Sequence, residues 1–309
     1  MEENYYSNGG IKLKYYEVTN DLQPLVMIHA QGVDGKSYSH VAKQLSKKFH
    51  VYSVDCYGHG GSKHDSEDYN IKHIGRAMID LIENLIKVKV WLLGHSSGGL
   101  IAAYIAAETA LCEKLILEDP PFFSSQGERR KSTFNYLDLS TICHNYNMQK
   151  ANADFVLYYF SNQYAWNFFP EKSRNRVKRK LTKIAVAYRQ KHPDRDLKVM
   201  FWPKTALAGL QGMNNYDPAF GESFYNDSFH CGILHDDILK HIKCQTIFMK
   251  ATTKISPEGI LMAALNEDDT KRVVQLIQHC ELVRFNCGHG IHIEQPKKFV
   301  KCVFDTLDV

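Results

Sequence analysis

The sequence predicts an α/β fold: a mostly parallel sheet, helices on both of its faces, and a helical insertion before the last strands. Three observations predict it. Short β-rich runs alternate with helical stretches through the first third of the chain. The rhythm stops after Pro120-Pro121, and helical patterns without a clear strand follow as far as Lys243. It then resumes for two more strands and two helices.

The elements follow in order. "IKLKYYEV" (11–18) alternates apolar and polar residues, as an edge strand does. "PLVMIHA", "FHVYSVD", "VKVWLLG" and "KLILEDP" are apolar runs that suit parallel strands covered on both faces. Helical patterns at 37–48, 71–86 and 98–108 lie between them. The stretch 122–243 is rich in aromatics, among them Phe155, Tyr159, Trp166, Phe201, Trp202 and Phe224. "CQTIFMKA", a helix over 268–278, "CELVRFN" and a helix from Pro296 complete the pattern. One core built from 1–121 and 244–309 is expected, with 122–243 inserted between two of its strands.

Composition narrows the class. A chain of 309 residues with 44% hydrophobic content can build a substantial core. Mean hydropathy is −0.35, and no apolar stretch approaches the ~20 residues that span a bilayer. "MEENYYSNGG" lacks the basic-then-apolar layout of a signal peptide, so a cytoplasmic protein with no membrane partner is expected. None of the eight cysteines forms a C-x-x-C pair, which argues against zinc ribbons and thioredoxin-type chemistry and for free thiols. A net charge of +4 is too small for a nucleic-acid partner. The basic run "KSRNRVKRKLTK" (172–183) reads as a solvated helix face. The alternative is a positive rim that attracts an anionic substrate.

Gly94-His95-Ser96-Ser97-Gly98 fits G-x-S-x-G, with an apolar strand before it and the small-residue helix "GGLIAAYIAAE" after it. That context places Ser96 on a sharp strand-to-helix turn with its hydroxyl exposed, as a nucleophile requires. A plain glycine-rich turn is the alternative. Ser97 would act through its backbone N–H, which can point at a developing oxyanion.

These motifs resemble the α/β-hydrolase superfamily. "IHAQGVDG" (28–35) resembles its H-G-x-G loop, with Ala30 where glycine is usual. The resemblance makes the Gln31 N–H the second oxyanion donor. "DCYGHGGS" (55–62) resembles the D-x-x-G-x-G-x-S loop that supports the site. "NCGHGIHIEQP" (286–296) resembles the terminal G-H-x-x-H-x-E-x-P segment and implies that His289 is the general base. A zinc site from His289, His292 and Glu294 is the competing reading, but it lacks H-E-x-x-H.

The superfamily commonly places the third member, an acid, shortly after the strand "TIFMK", where this chain has Lys254. Its other site is the end of the preceding strand, here "LILEDPP". Asp119-Pro120 matches the D-P form of that alternative. Strand alternation points neighbouring Glu118 to the opposite face. Asp119 is therefore the expected acid, with Glu118 and Glu258 as the alternatives.

The resemblance implies an α/β-hydrolase fold with a helical cap and a serine esterase or lactonase. No cofactor and no metal are called for. The partner is a small apolar or aromatic-bearing substrate. Carbon–carbon bond hydrolysis, or a low-turnover receptor with the same fold, are the other readings. Haloalkane dehalogenases and epoxide hydrolases fit poorly, because they use aspartate where Ser96 stands.

Overall fold

A computed structural model describes residues 1–149, 153–200, 202 and 209–306. Its strands are β1 (Glu2–Asn8), β2 (Ile11–Val18), β3 (Pro24–Ile28), β4 (His50–Val54), β5 (Val90–His95), β6 (Cys112–Glu118), β7 (Gln245–Lys250) and β8 (Cys280–Arg284). They join into one sheet in the order β1-β2-β4-β3-β5-β6-β7-β8. β3 to β8 pair in parallel; β1 and β2 form an antiparallel hairpin, and β2 pairs antiparallel with β4.

The first three helices are α1 (Ser39–Leu45), α2 (Ile71–Leu81) and α3 (Ser97–Glu108). Between β6 and β7 lie α4 (Thr141–Asn147), α5 (Phe155–Asn162), α6 (Glu171–Lys191), α7 (Pro218–Tyr225) and α8 (His235–His241). The end of the chain adds α9 (Glu267–Leu276), α10 (Ile291–Glu294) and α11 (Pro296–Asp305). Among the described residues the segment between β6 and β7 contributes no strand to the sheet.

The central strands explain the layering. Successive side chains leave a strand on opposite faces, so an unbroken apolar run feeds two cores. Val26, Ile28 and Leu92 join one core with Met78 of α2 and Leu100 of α3. Leu25, Met27 and Leu93 join the other with Leu45 of α1 and Phe299 of α11. Helix α3 is buried on every side from Ser97 to Ala106, which accounts for its run of small residues. Helix α6 exposes Lys172, Arg176, Arg179, Lys180 and Lys183, Arg174 and Lys178 are half-buried, and Val177, Leu181 and Ile184 pack inward. No helix among the described residues is long and apolar enough to cross a membrane.

Two expectations need adjustment. "IKLKYYEV" is not the edge strand, because β1 pairs along its whole length. The hairpin turns at Gly9 and Gly10, whose φ angles of 51° and 89° suit a tight two-residue loop. The helix expected over 71–86 is α-helical only to Leu81, closes as a π turn over Ile82–Ile86, and stops at left-handed Lys87. Phe201 lies outside the described residues.

Candidate active site

β5 runs buried to His95, and the chain reverses into α3 at Ser96. Ser96 has φ 54° and ψ −122°, a conformation that costs a non-glycine residue of order 1–3 kcal/mol. Its N–H donates to the Glu118 carbonyl at 3.0 Å, and its carbonyl accepts from Gly99 N–H at 2.8 Å. Close packing explains the flanking glycines. A Cβ on Gly94 would stand 2.3 Å from the Gly98 oxygen, and one on Gly98 would stand 2.3 Å from the Ile28 oxygen. Ser97 opens α3, whose first amides have no intrahelical acceptor and sit at the positive end of its dipole.

The loop after β3 is clamped from the loop after β4. Gly32 N–H donates to His59 Nε2 at 3.1 Å, and Cys56 N–H donates to His29 Nε2 at 3.0 Å. Asp55 in turn accepts from Gly35 N–H at 2.8 Å and Gly61 N–H at 3.0 Å. Burial holds His59 well below its ordinary value, so it is a neutral acceptor. The Gln31 side chain donates to Tyr216 Oη at 2.8 Å.

Asp119 follows β6 with φ 44° and is fully buried. Its Oδ2 stands 2.8 Å from His289 Nδ1, and its Oδ1 accepts from Ala251 N–H at 3.1 Å. The buried Lys250 ammonium lies 3.6 Å from that Oδ1. Glu118 points elsewhere: its carboxylate accepts from the backbone N–H and Nδ1 of His292, each at 2.8 Å. Glu258 is exposed in the turn after β7. The structure thus brings Asp119 to His289 and keeps Glu118 and Glu258 away from it.

Ser96, Ser97, Gln31 and His289 line one cavity of about 420 Å³. The His289 side chain is 42% exposed. The walls reach into the segment between β6 and β7, with Leu139, Met213 and Phe224 among them. None of residues 172–183 lines the cavity.

The model of the alpha/beta hydrolase family matches residues 25–301, nearly the whole chain. The chain belongs to that family. Over 120 residues the chain is 32% identical to a pimeloyl-[acyl-carrier protein] methyl ester esterase of Vibrio cholerae, covering 38% of the chain and 44% of that relative. Over 92 residues it is 32% identical to an (E)-2-((N-methylformamido)methylene)succinate hydrolase of Acinetobacter baylyi, covering 30% of the chain and 35% of that relative. The matches therefore span half or less of these relatives' lengths. Among solved structures, the enol-lactonase of Burkholderia xenovorans LB400 superposes with a TM-score of 0.66 at 18% identity, over 99% of this chain and 100% of that one. That likeness concerns the fold.

Behind the cavity the chain carries a buried polar network that sequence reasoning missed. His95 Nε2 donates to the His289 carbonyl at 3.0 Å, and the His95 ring lies 4.7 Å from the His289 ring and 5.1 Å from the His292 ring. Burial pushes His95 down to about 3, so it is a neutral imidazole. Burial alone would raise Glu118, but the His292 and His95 rings and the His292 N–H bond outweigh it and hold the carboxyl at about 2. Gly288 N–H donates to Glu294 at 2.9 Å. The His289 loop is thus tied at three points. The available signal was the spacing: two successive acids after "LIL" and two histidines three residues apart. Lys250 gave only a weak one, as a lysine ending an apolar run.

His289, His292 and Glu294 do not converge on one point: each serves a different partner. The ligating atoms of His95, Glu118 and His292 lie within 4.8 Å of one another. Glu118 and His292 are hydrogen-bonded at 2.8 Å, however, closer than the roughly 3.3 Å between two ligands of a tetrahedral zinc.

Proposed function

We propose that this chain is a serine hydrolase that cleaves an ester or lactone of a small, largely apolar substrate through an acyl-enzyme. The observation that carries the reading is the shared cavity. A serine at a positive-φ elbow and an imidazole held at its Nδ1 by a buried aspartate both open into it. His289 Nε2 takes the Ser96 proton, and Ser96 Oγ attacks the carbonyl carbon. Asp119 keeps the His289 proton on Nδ1 and stabilises the imidazolium. The N–H groups of Ser97 and Gln31 receive the oxyanion; losing one such donor typically costs about 100- to 1000-fold in kcat. The carbon–oxygen bond breaks, His289 protonates the leaving alkoxide, and a water that His289 deprotonates releases the acid.

Residues 122–243 act as the cap, and their apolar walls enclose the substrate. The name of one similar protein, a methyl ester esterase, favours ester bonds over carbon–carbon bonds.

Labelling by a fluorophosphonate probe, with turnover of short p-nitrophenyl esters, tests the assignment. Ser96→Ala should lose both. Ser97→Ala should keep much of both, because alanine retains the main-chain donor. Equal loss in the two variants would reject Ser96 as the nucleophile.

A further inference from the structure

The cavity has a second set of polar groups, from the segment between β6 and β7. Asp138 and Ser140 lie on a π turn, Tyr136–Ser140, and π turns recur at functional sites. Both line the cavity, together with Tyr159. Asp138 is buried, and its carboxylate accepts from the Tyr159 hydroxyl at 2.6 Å and from the Tyr164 N–H. No lysine or arginine among the described residues pairs with it. Two oxygens offer about four acceptor positions, so this carboxylate has room for another donor. The Ser140 hydroxyl is buried and finds no partner among the described residues. A buried hydroxyl that is left unbonded is costly, so its place on the wall points to a ligand.

What completes this pair must donate to Asp138 and satisfy Ser140. A neutral hydroxyl does both, since it donates one proton and accepts another. An ammonium only donates, so it leaves the Ser140 O–H without an acceptor. We propose that Asp138 and Ser140 form a specificity subsite for a hydroxyl group on the substrate, so that the preferred ester or lactone is hydroxylated. Burial pushes the Asp138 carboxyl up to about 6 despite its two bonds, which fits a group short of partners. The proposal rests on the serine-hydrolase reading for its chemistry, but its recognition step can be measured separately.

The experiment compares kcat/KM for p-nitrophenyl alkanoates of six to eight carbons with and without a terminal hydroxyl. Matching hydroxyalkyl and alkyl butyrates cover the alcohol arm, and ω-ammonium analogues form a third set. The hydroxylated member of at least one pair should be preferred by about 100-fold, because a site built around a hydroxyl rejects the analogue that leaves its polar groups unpaired. In Ser140→Ala and Asp138→Asn that ratio should fall toward one; a ratio is read so that general loss of activity cancels. Calorimetric binding of 6-hydroxyhexanamide and hexanamide to Ser96→Ala gives the same comparison without turnover. A missing hydroxyl preference in both assays, a preference that survives in both variants, or preference for the ammonium set would overturn the subsite. Absence of ester turnover beside a persisting binding preference would instead reject the hydrolase reading and leave the subsite supported.

Discussion

Two neighbouring acids at the end of β6 have different fates. β6 stays extended through Glu118, so that carboxylate leaves the face away from His289 and meets His292. At Asp119 the backbone turns to φ 44°, and the next carboxylate reaches His289. The roles should separate in the same way. Asp119→Asn should fold normally and lower kcat by up to ~10,000-fold, because an amide favours the wrong imidazole tautomer. Glu118→Gln should chiefly lower the melting temperature, since removing one partner of a buried pair commonly costs about 3–5 kcal/mol. Kinetics and thermal melts on both proteins check this. A well-folded Asp119→Asn with near-normal kcat would reject Asp119 as the acid. The D-P pair and strand alternation made this divergence readable. The Lys250 ammonium beside Asp119 was not readable, because a lysine at a strand end is usually solvated and only the packed sheet buries it.

Among the elements, the sheet strands were the most legible. A strand covered on both faces is largely apolar along its length, and β5 is buried at all six positions. β1 was hidden for the opposite reason: an edge strand needs only alternate burial, and a single tyrosine, Tyr6, supplies it while Tyr5 stays 57% exposed. The helices between β6 and β7 carry the cavity's far wall, yet their packing mixes them with the sheet's own core. If they act as a cap, limited proteolysis should cut within 122–243 first, and a covalent Ser96 inhibitor should protect those sites. Mass spectrometry of the fragments would show it. First cuts in the βα portions, unchanged by inhibitor, would count against a mobile cap.

For the whole molecule, buried titratable groups set the response to pH. His95 is held at about 3 against an ordinary 6.5, and burial holds His59 and His235 well below that value. Each stays neutral when folded but binds a proton when unfolded below about pH 6.5. Their contribution to stability is therefore complete above 6.5 and is lost as pH falls toward the folded value. Glu118, held at about 2 against 4.5, contributes fully above 4.5 and loses its contribution as pH falls toward 2. Asp138, raised from 3.8 to about 6, works the other way: its contribution is complete below 3.8 and is lost as pH rises through 6. Three histidines outweigh one carboxyl, at about 1.4 kcal/mol per pH unit per group. The melting temperature should hold near neutrality, fall below about pH 6 and fall faster below 4.5. A melting temperature that rises on acidification to pH 5 would contradict this assignment of charges.

The sequence by itself determined the α/β rhythm, the break in it after Pro121 and the Ser96 elbow. Each depends on local patterns: an apolar run covered on both faces, a break in that rhythm, and glycines where a Cβ would strike backbone. The pairing of Asp119 with His289 was a sequence expectation that rested on family resemblance, since 170 residues separate them. Only the tertiary structure decided the network of His95, Glu118 and His292, the burial of Lys250, and the bond from Tyr159 to Asp138 at the cavity. Those contacts join residues from separate elements. Whether a polar side chain ends in water or against a partner depends on how those elements pack, which no local pattern encodes.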